Sequence, residues 1–133
     1  MQRALRKKFC KMDVFAFWKA VLEQRAEDIP SFFTEDGVVN WHCTNERFTV
    51  AEFVRANCEY PGDWDGEVER VCEISEGIVT VTRVYPTDKS ASFHVTSFLT
   101  LQDGKIKQMD EYWADDGPAP NWRKEMRIGT KIK

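Results

Sequence analysis

The chain carries two histidines, four cysteines and twenty-two carboxylates, and their spacing limits the chemistry open to them. Cys10, Cys43, Cys58 and Cys72 stand 33, 15 and 14 positions apart. With no Cys-x-x-Cys and no grouped histidine, a zinc centre is not expected. Scattered cysteines in a reducing compartment serve as small buried hydrophobes; a catalytic thiol at Cys43 is the alternative. Asp115-Asp116 before Gly117 puts two carboxylates in a turn, where they are either solvated or two ligands of a cation. No third oxygen ligand is spaced to help, so neither a metal nor a cofactor is expected. Glu111 stands between Met109 and Trp113 in alternating positions, and Arg83 is the obvious cation to answer it. A carboxylate among such neighbours has a raised pKa unless a cation faces it.

The rest of the chain has to position these groups. At 133 residues, 42% hydrophobic and 13% aromatic, it has mass for one domain over 1–133 that folds without disulfides. No apolar run approaches the ~20 residues that span a bilayer, and no cleavable leader is evident, so a cytoplasmic protein without membrane contact is expected. The net charge of −3 is unevenly spread. Residues 1–11 carry five basic groups and no acid, and residues 122–133 carry five basic groups against Glu125. The body between holds nine basic and twenty-one acidic residues. Such a body repels phosphates, so no nucleic-acid partner is expected; the basic ends are solvated tails or lie against the acidic body.

Apolar residues Val14, Phe15, Trp18, Val21 and Leu22 recur at helical steps within 12–26, with Asp13 as a cap. Ile29–Phe33 reads as a short second helix, and Thr34-Glu35-Asp36-Gly37 as a turn. A first strand follows over 38–43. Thr49 and Glu52 have capping-box spacing, with Phe48 and Phe53 placed for a hydrophobic staple, so a third helix runs to about Asn57. Alternating, β-branched segments over 67–75, 78–85, 91–101 and 106–113 predict four antiparallel strands. Glu76-Gly77 and Asp103-Gly104 are read as two-residue turns. Helices gathered before strands imply an α+β fold with a hollow between helices and bent sheet, where small ligands bind.

Alternation assigns faces. Phe93, Val95, Ser97, Leu99 and Leu101 form the inward set of their strand. His94, Thr96, Phe98 and Thr100 face out, with His94 a surface or dimer-contact residue. On the first strand Val39, Trp41 and Cys43 point inward; Asn40 and His42 point outward, His42 as a general base or a partly exposed structural residue. With Val79 and Val81 read as inward, Arg83 and Tyr85 follow. On the last strand neither Lys107, Met109, Glu111, Trp113 nor Ile106, Gln108, Asp110, Tyr112 is cleanly apolar. Tyr60 and Trp64 suit a lid over the hollow or a satellite core, and Trp122 is expected to pack the tail onto the body.

The element order resembles the NTF2-like superfamily, and within it the SnoaL-like proteins and ketosteroid isomerases. The resemblance covers about Met12 to Trp122. Its carriers are Phe32-Phe33-Thr34-Glu35-Asp36-Gly37-Val38, Asp103-Gly104-Lys105-Ile106 and Glu111-Tyr112-Trp113-Ala114-Asp115-Asp116. It implies a cone in which N-terminal helices pack on a curved antiparallel sheet. It does not select a function, because the superfamily holds isomerases, cyclases, dehydratases, epoxide hydrolases and binders. Steroid isomerases use an aspartate base, a tyrosine and a protonated aspartate. In ungapped matching these positions are Trp41, Phe17 and Ser97, so steroid isomerisation is excluded.

The resemblance also places Met109, Glu111 and Trp113 on the pocket wall. With Phe17, Trp18, Val21, Trp41, Cys43, Phe93 and Ser97, they outline a pocket for a small apolar or aromatic molecule. Glu111 and Arg83 are expected at its polar centre, either orienting a ligand and doing acid/base chemistry or forming an internal salt bridge. Two function classes stand: a cofactor-independent isomerase, cyclase, dehydratase or hydrolase, and a non-catalytic binding or protein-interaction module. Exposed Phe98 and Tyr112 on the outer sheet face imply a homodimer through that face.

Overall fold

The computed structural model describes residues 12–133. Cys10 and the N-terminal basic run lie outside them. Asp13 starts the first helix: its carboxylate accepts from the backbone N–H of Phe15 and Ala16 at 3.1 and 3.0 Å. Helix α1 spans Val14–Leu22 and buries Val14, Phe17, Trp18, Ala20 and Val21. It stops short of residue 26 because Gln24 turns left-handed, with φ 53°. The Gln24 side chain then donates to the carbonyls of Asn57 and Tyr60, both at 2.8 Å.

The expected second helix is a 3₁₀ turn over Ile29–Phe32 with Pro30 near its start. Strand β1 (Phe33–Trp41) begins earlier than alternation predicts. The expected turn at 34–37 is an irregularity within β1, between Phe33 and Val38. A Cβ on Gly37 would lie 3.1 Å from the Ile106 carbonyl, so the backbone there closes on the strand that carries Ile106. His42–Thr44 form another 3₁₀ turn, and Asn45 at φ 56° reverses the chain into β2 (Glu46–Thr49), a strand too short to show as alternation. Helix α2 (Val50–Cys58) opens with the predicted capping box, Thr49 and Glu52 each bonding the other's backbone N–H.

Strands β3 (Trp64–Ile74), β4 (Gly77–Pro86), β5 (Phe93–Gln102) and β6 (Lys105–Asp115) form the meander. Asp103 and Gly104, at φ 52° and 78°, make the type I′ turn that their sequence demands. The other tight turn sits one residue earlier than expected, since Ile74 pairs with Gly77. The strand order is β2-β1-β6-β5-β4-β3. The sheet is mixed, because β1 runs parallel to β6 while every other pair is antiparallel.

The helices and this curved, open sheet form an α+β NTF2-like cone. Phe17, Trp18, Ile29, Phe33 and Phe53 are nearly inaccessible between helices and sheet. Each contributes about 1.5–3 kcal/mol by leaving water. A short helix α3 (Asn121–Met126) follows the sheet, where only a tail is expected. Trp122 does not pack the tail down: it is 59% exposed, with the Arg123 guanidinium over its ring. Among the described residues no helix is long and apolar enough to cross a membrane.

Candidate functional site

Glu111 lies on the inner face of β6, 1% exposed, opposite Ser97 of β5 and Trp41 of β1. Ser97 Oγ donates to Glu111 Oε2 at 2.6 Å, and Trp41 Nε1 donates to Oε1 at 3.1 Å. The Trp113 indole nitrogen is close enough to favour the ionised carboxyl, yet it makes no hydrogen bond of good geometry. Burial dominates and raises the carboxyl to about 7, against the pull of Ser97, Trp41 and Trp113. Glu111 faces inward, as the resemblance implies, and its pKa rises as that of a buried carboxylate does when no cation answers it.

The expected partner does not face inward. Arg83 faces the other side of the sheet, bonding Ser92 Oγ at 3.1 Å and covering the Tyr85 ring. The face assignment on β4 is reversed: Ile78, Thr80, Thr82 and Val84 are the buried set. Val79 and Val81 look more apolar than Thr80 and Thr82, but the threonines have an inner role. Thr80 Oγ1 accepts from Trp18 Nε1 at 3.2 Å. The ambiguity on β6 has a cause as well. Thr100 pairs with Gln108 and Leu101 with Ile106, so Lys107 is an extra residue that resets alternation. Ile106 and Met109 are both buried, three positions apart.

A cavity of about 240 Å³ opens between α1, α2 and the inner sheet face. Six rings line it: Trp18, Trp41, Tyr60, Trp64, Phe93 and Trp113. Val21, Leu22, Ala56 and Val84 complete the apolar wall, with Gln24 and Asn57 as its polar members. Of the residues that the sequence reading assigns to a pocket, Trp18, Val21, Trp41, Phe93 and Trp113 line this cavity. Phe17, Met109 and Ser97 are inward but lie in the packed layer, each at 1% exposure or less. Cys43 is a correction. The 3₁₀ turn ends the strand before it, and its exposed thiol donates to the Trp113 carbonyl.

Glu111 itself is not a lining residue: Trp41 and Trp113 belong to the wall, and the acid sits behind them. Tyr60 and Trp64 pack on each other 5.5 Å apart, and Trp64 reaches Phe93, so the expected lid pair forms one side of the cavity. The amides of Gln24 and Asn57 escaped sequence reading because nothing local marks them. They tie α1 to the end of α2, Asn57 Nδ2 donating to the Val21 carbonyl.

The outer face holds both histidines, each against a carboxylate. His94 is on it, as alternation predicts, held by Asp116 at 2.5 Å and Glu69 at 2.9 Å. Asp116 also accepts from Ser92. His42 meets Asp110 at 2.7 Å and stacks on Tyr112, which contacts Phe98 edge to face. Phe98 and Tyr112 are 40% and 45% exposed.

A search of curated proteins finds no match. Among solved structures, a candidate ketosteroid isomerase from Kribbella flavida DSM 17836 superposes with a TM-score of 0.71 at 22% identity, over 98% of this chain and 90% of its own. An NTF2-like protein of unknown function from Burkholderia xenovorans LB400 gives 0.74 at 18% identity, over 90% and 92%. An LEH-like epoxide hydrolase from M. tuberculosis gives 0.61 at 15% identity, over 76% and 79%. At these identities the likeness is one of fold. A family model described as SnoaL-like domain matches residues 14–117, which places this chain in the SnoaL-like domain family.

Proposed function

We propose that the protein binds a small apolar or aromatic molecule in the cavity between α1, α2 and the sheet. The observation that carries this reading is the composition of the wall: six aromatic rings and four aliphatic side chains around about 240 Å³, with only two amides. Apolar concavities with few polar groups are the usual form of small-ligand sites, and this one is somewhat smaller than most. It suits one or two rings better than a steroid skeleton. Four of the five tryptophans line it, so their fluorescence reports occupancy. The test is a fluorescence titration with one- and two-ring aromatic probes, beside native mass spectrometry of the freshly purified protein. Saturable quenching that disappears in Ala56→Trp, which fills the cavity, is the expected result. No saturable response to any probe, or an equal response in Ala56→Trp, removes the reading.

A second reading adds turnover, and the titration of Glu111 near neutrality favours it. A carboxyl poised there serves as a general acid or base without a cofactor, in isomerase, cyclase, dehydratase or hydrolase chemistry. It requires Trp41 or Trp113 to swing aside. Glu111→Gln then keeps probe binding and loses turnover.

The outer face supports a homodimer. Phe98 and Tyr112 form an exposed aromatic pair beside His42. Sedimentation of the unmodified chain and of Tyr112→Glu tests this, with a dimer that dissociates in the variant as the expected outcome.

A further inference from the structure

Among the described residues the cavity wall holds six rings and no lysine, arginine or histidine, and one of its indoles, that of Trp41, donates to an acid. Aromatic faces carry negative potential and attract cations, ammonium groups included. Trp41 joins the two features: its ring lines the cavity while its N–H is spent on Glu111. A ligand charge among the rings therefore lies one indole away from a carboxyl that is itself shut away from water. We propose that the ligand class is a small organic cation with an apolar skin, a methylated ammonium, whose charge is held by the tryptophan cage and answered by Glu111 behind it.

This rests on the proposed function and narrows it. A neutral aromatic satisfies the rings but leaves the acid unused, and an anion is repelled by both. Among the described residues no cation pairs with Glu111. Its neighbours are Ser97 from β5, Trp41 from β1 and Trp113 from its own strand, and no charged group shifts it. The charged residues of the packed helices, Lys19 on α1 and Glu52 and Arg55 on α2, are exposed to solvent, as is Glu59 just after α2. By linkage, a bound cation favours the ionised carboxyl, so affinity rises with pH as Glu111 loses its proton.

Choline and its neutral carbon isostere, 3,3-dimethylbutan-1-ol, differ in charge at nearly constant shape. Fluorescence titration of the full chain is expected to show choline binding at least about tenfold tighter than the isostere at pH 8. That preference shrinks severalfold at pH 5.5 and in Glu111→Gln. If the variant does not fold, the pH series on the unmodified chain tests the same carboxylate. Equal or tighter binding of the isostere overturns the cation class and leaves the apolar cavity standing, as does a response to neutral aromatics with none to choline. A choline preference equal in Glu111→Gln and flat with pH overturns the part given to Glu111. Failure of every probe, neutral ones included, overturns the cavity reading as well.

Discussion

Asp110 and Glu111 are joined by one peptide bond, and burial raises both carboxyls, yet they titrate in opposite directions from their ordinary values. For Asp110, on the outer face, hydrogen bonds from Gln108, His42 and Asn40 outweigh the burial and hold it below the usual range. Glu111, on the inner face, also receives donors, but it is wholly shut away from water and no charge offsets the loss, so it rises to about 7. Donor count does not separate the two. What separates them is residual contact with solvent and a histidine that can carry charge. Alternation along one strand therefore puts an acid held below its usual range on the outer face and one poised near neutral pH on the inner face.

The largest effect tests the inner half of this contrast. A carboxyl raised from about 4.5 to about 7 on folding contributes stability that is fully present below the lower value and lost as pH rises through the higher one. The sign is opposite to that of a salt-bridged acid. Relative to Glu111→Gln, which cannot ionise, the unmodified protein should lose about 3 kcal/mol between pH 4.5 and pH 8. Urea denaturation of both across that range measures it. A constant difference would mean that the carboxyl keeps water or a cation in the folded state, and the contrast with Asp110 would vanish.

The outer half responds less and with the reverse sign. Asp110→Asn keeps the shape and removes the charge that His42 faces, at 2.7 Å and with the Asp110 side chain 20% exposed. A loss of about 1 kcal/mol is expected at pH 7. Because Asp110 is lowered, its contribution is present above its unfolded value and fades as pH falls through the folded one. Thermal melts of the two proteins should therefore converge in strong acid. A gap that instead widens in acid would place Asp110 with Glu111.

How far the sequence foretold this contrast depends on what marks a face. The inner set of β5 was legible because Val95 and Leu99 are unambiguous and the strand runs without interruption to Thr100. The capping box of α2 and the Asp103-Gly104 turn were legible because each is a local bonding pattern. On β4 the same logic failed, since a buried threonine bonded to a tryptophan looks polar in sequence, and Arg83 went to the wrong face with it. Position 111 was right by resemblance alone, because the extra residue at Lys107 hides the alternation. The cavity's amides, and the 3₁₀ turn that carries Cys43 out of it, come from tertiary contacts that no local pattern records.

The smallest effect belongs to His94, and it asks whether the outer face behaves as one charged layer. Its ring bridges Asp116, beyond β6, and Glu69, the extra residue where β3 shifts register against β4 between Val68 and Arg70. The hydrogen bond to Asp116 raises the imidazole first; burial opposes it, and Glu69 adds to the rise. Both carboxylates are in turn held low, Glu69 mainly by Lys133 of the C-terminal tail. A raised histidine contributes stability that is present below its unfolded value and lost as pH rises through the folded one. His94→Gln should accordingly cost a few tenths of a kcal/mol at pH 5.5 and nothing at pH 9, since the ring is about one-third exposed and water screens the pair. Double-mutant cycles with Glu69→Gln at the two pH values isolate that coupling from any packing change. A coupling that persists at pH 9 would make the contact one of shape, and the outer face would then owe its ionised character to Asp110 and its partners alone.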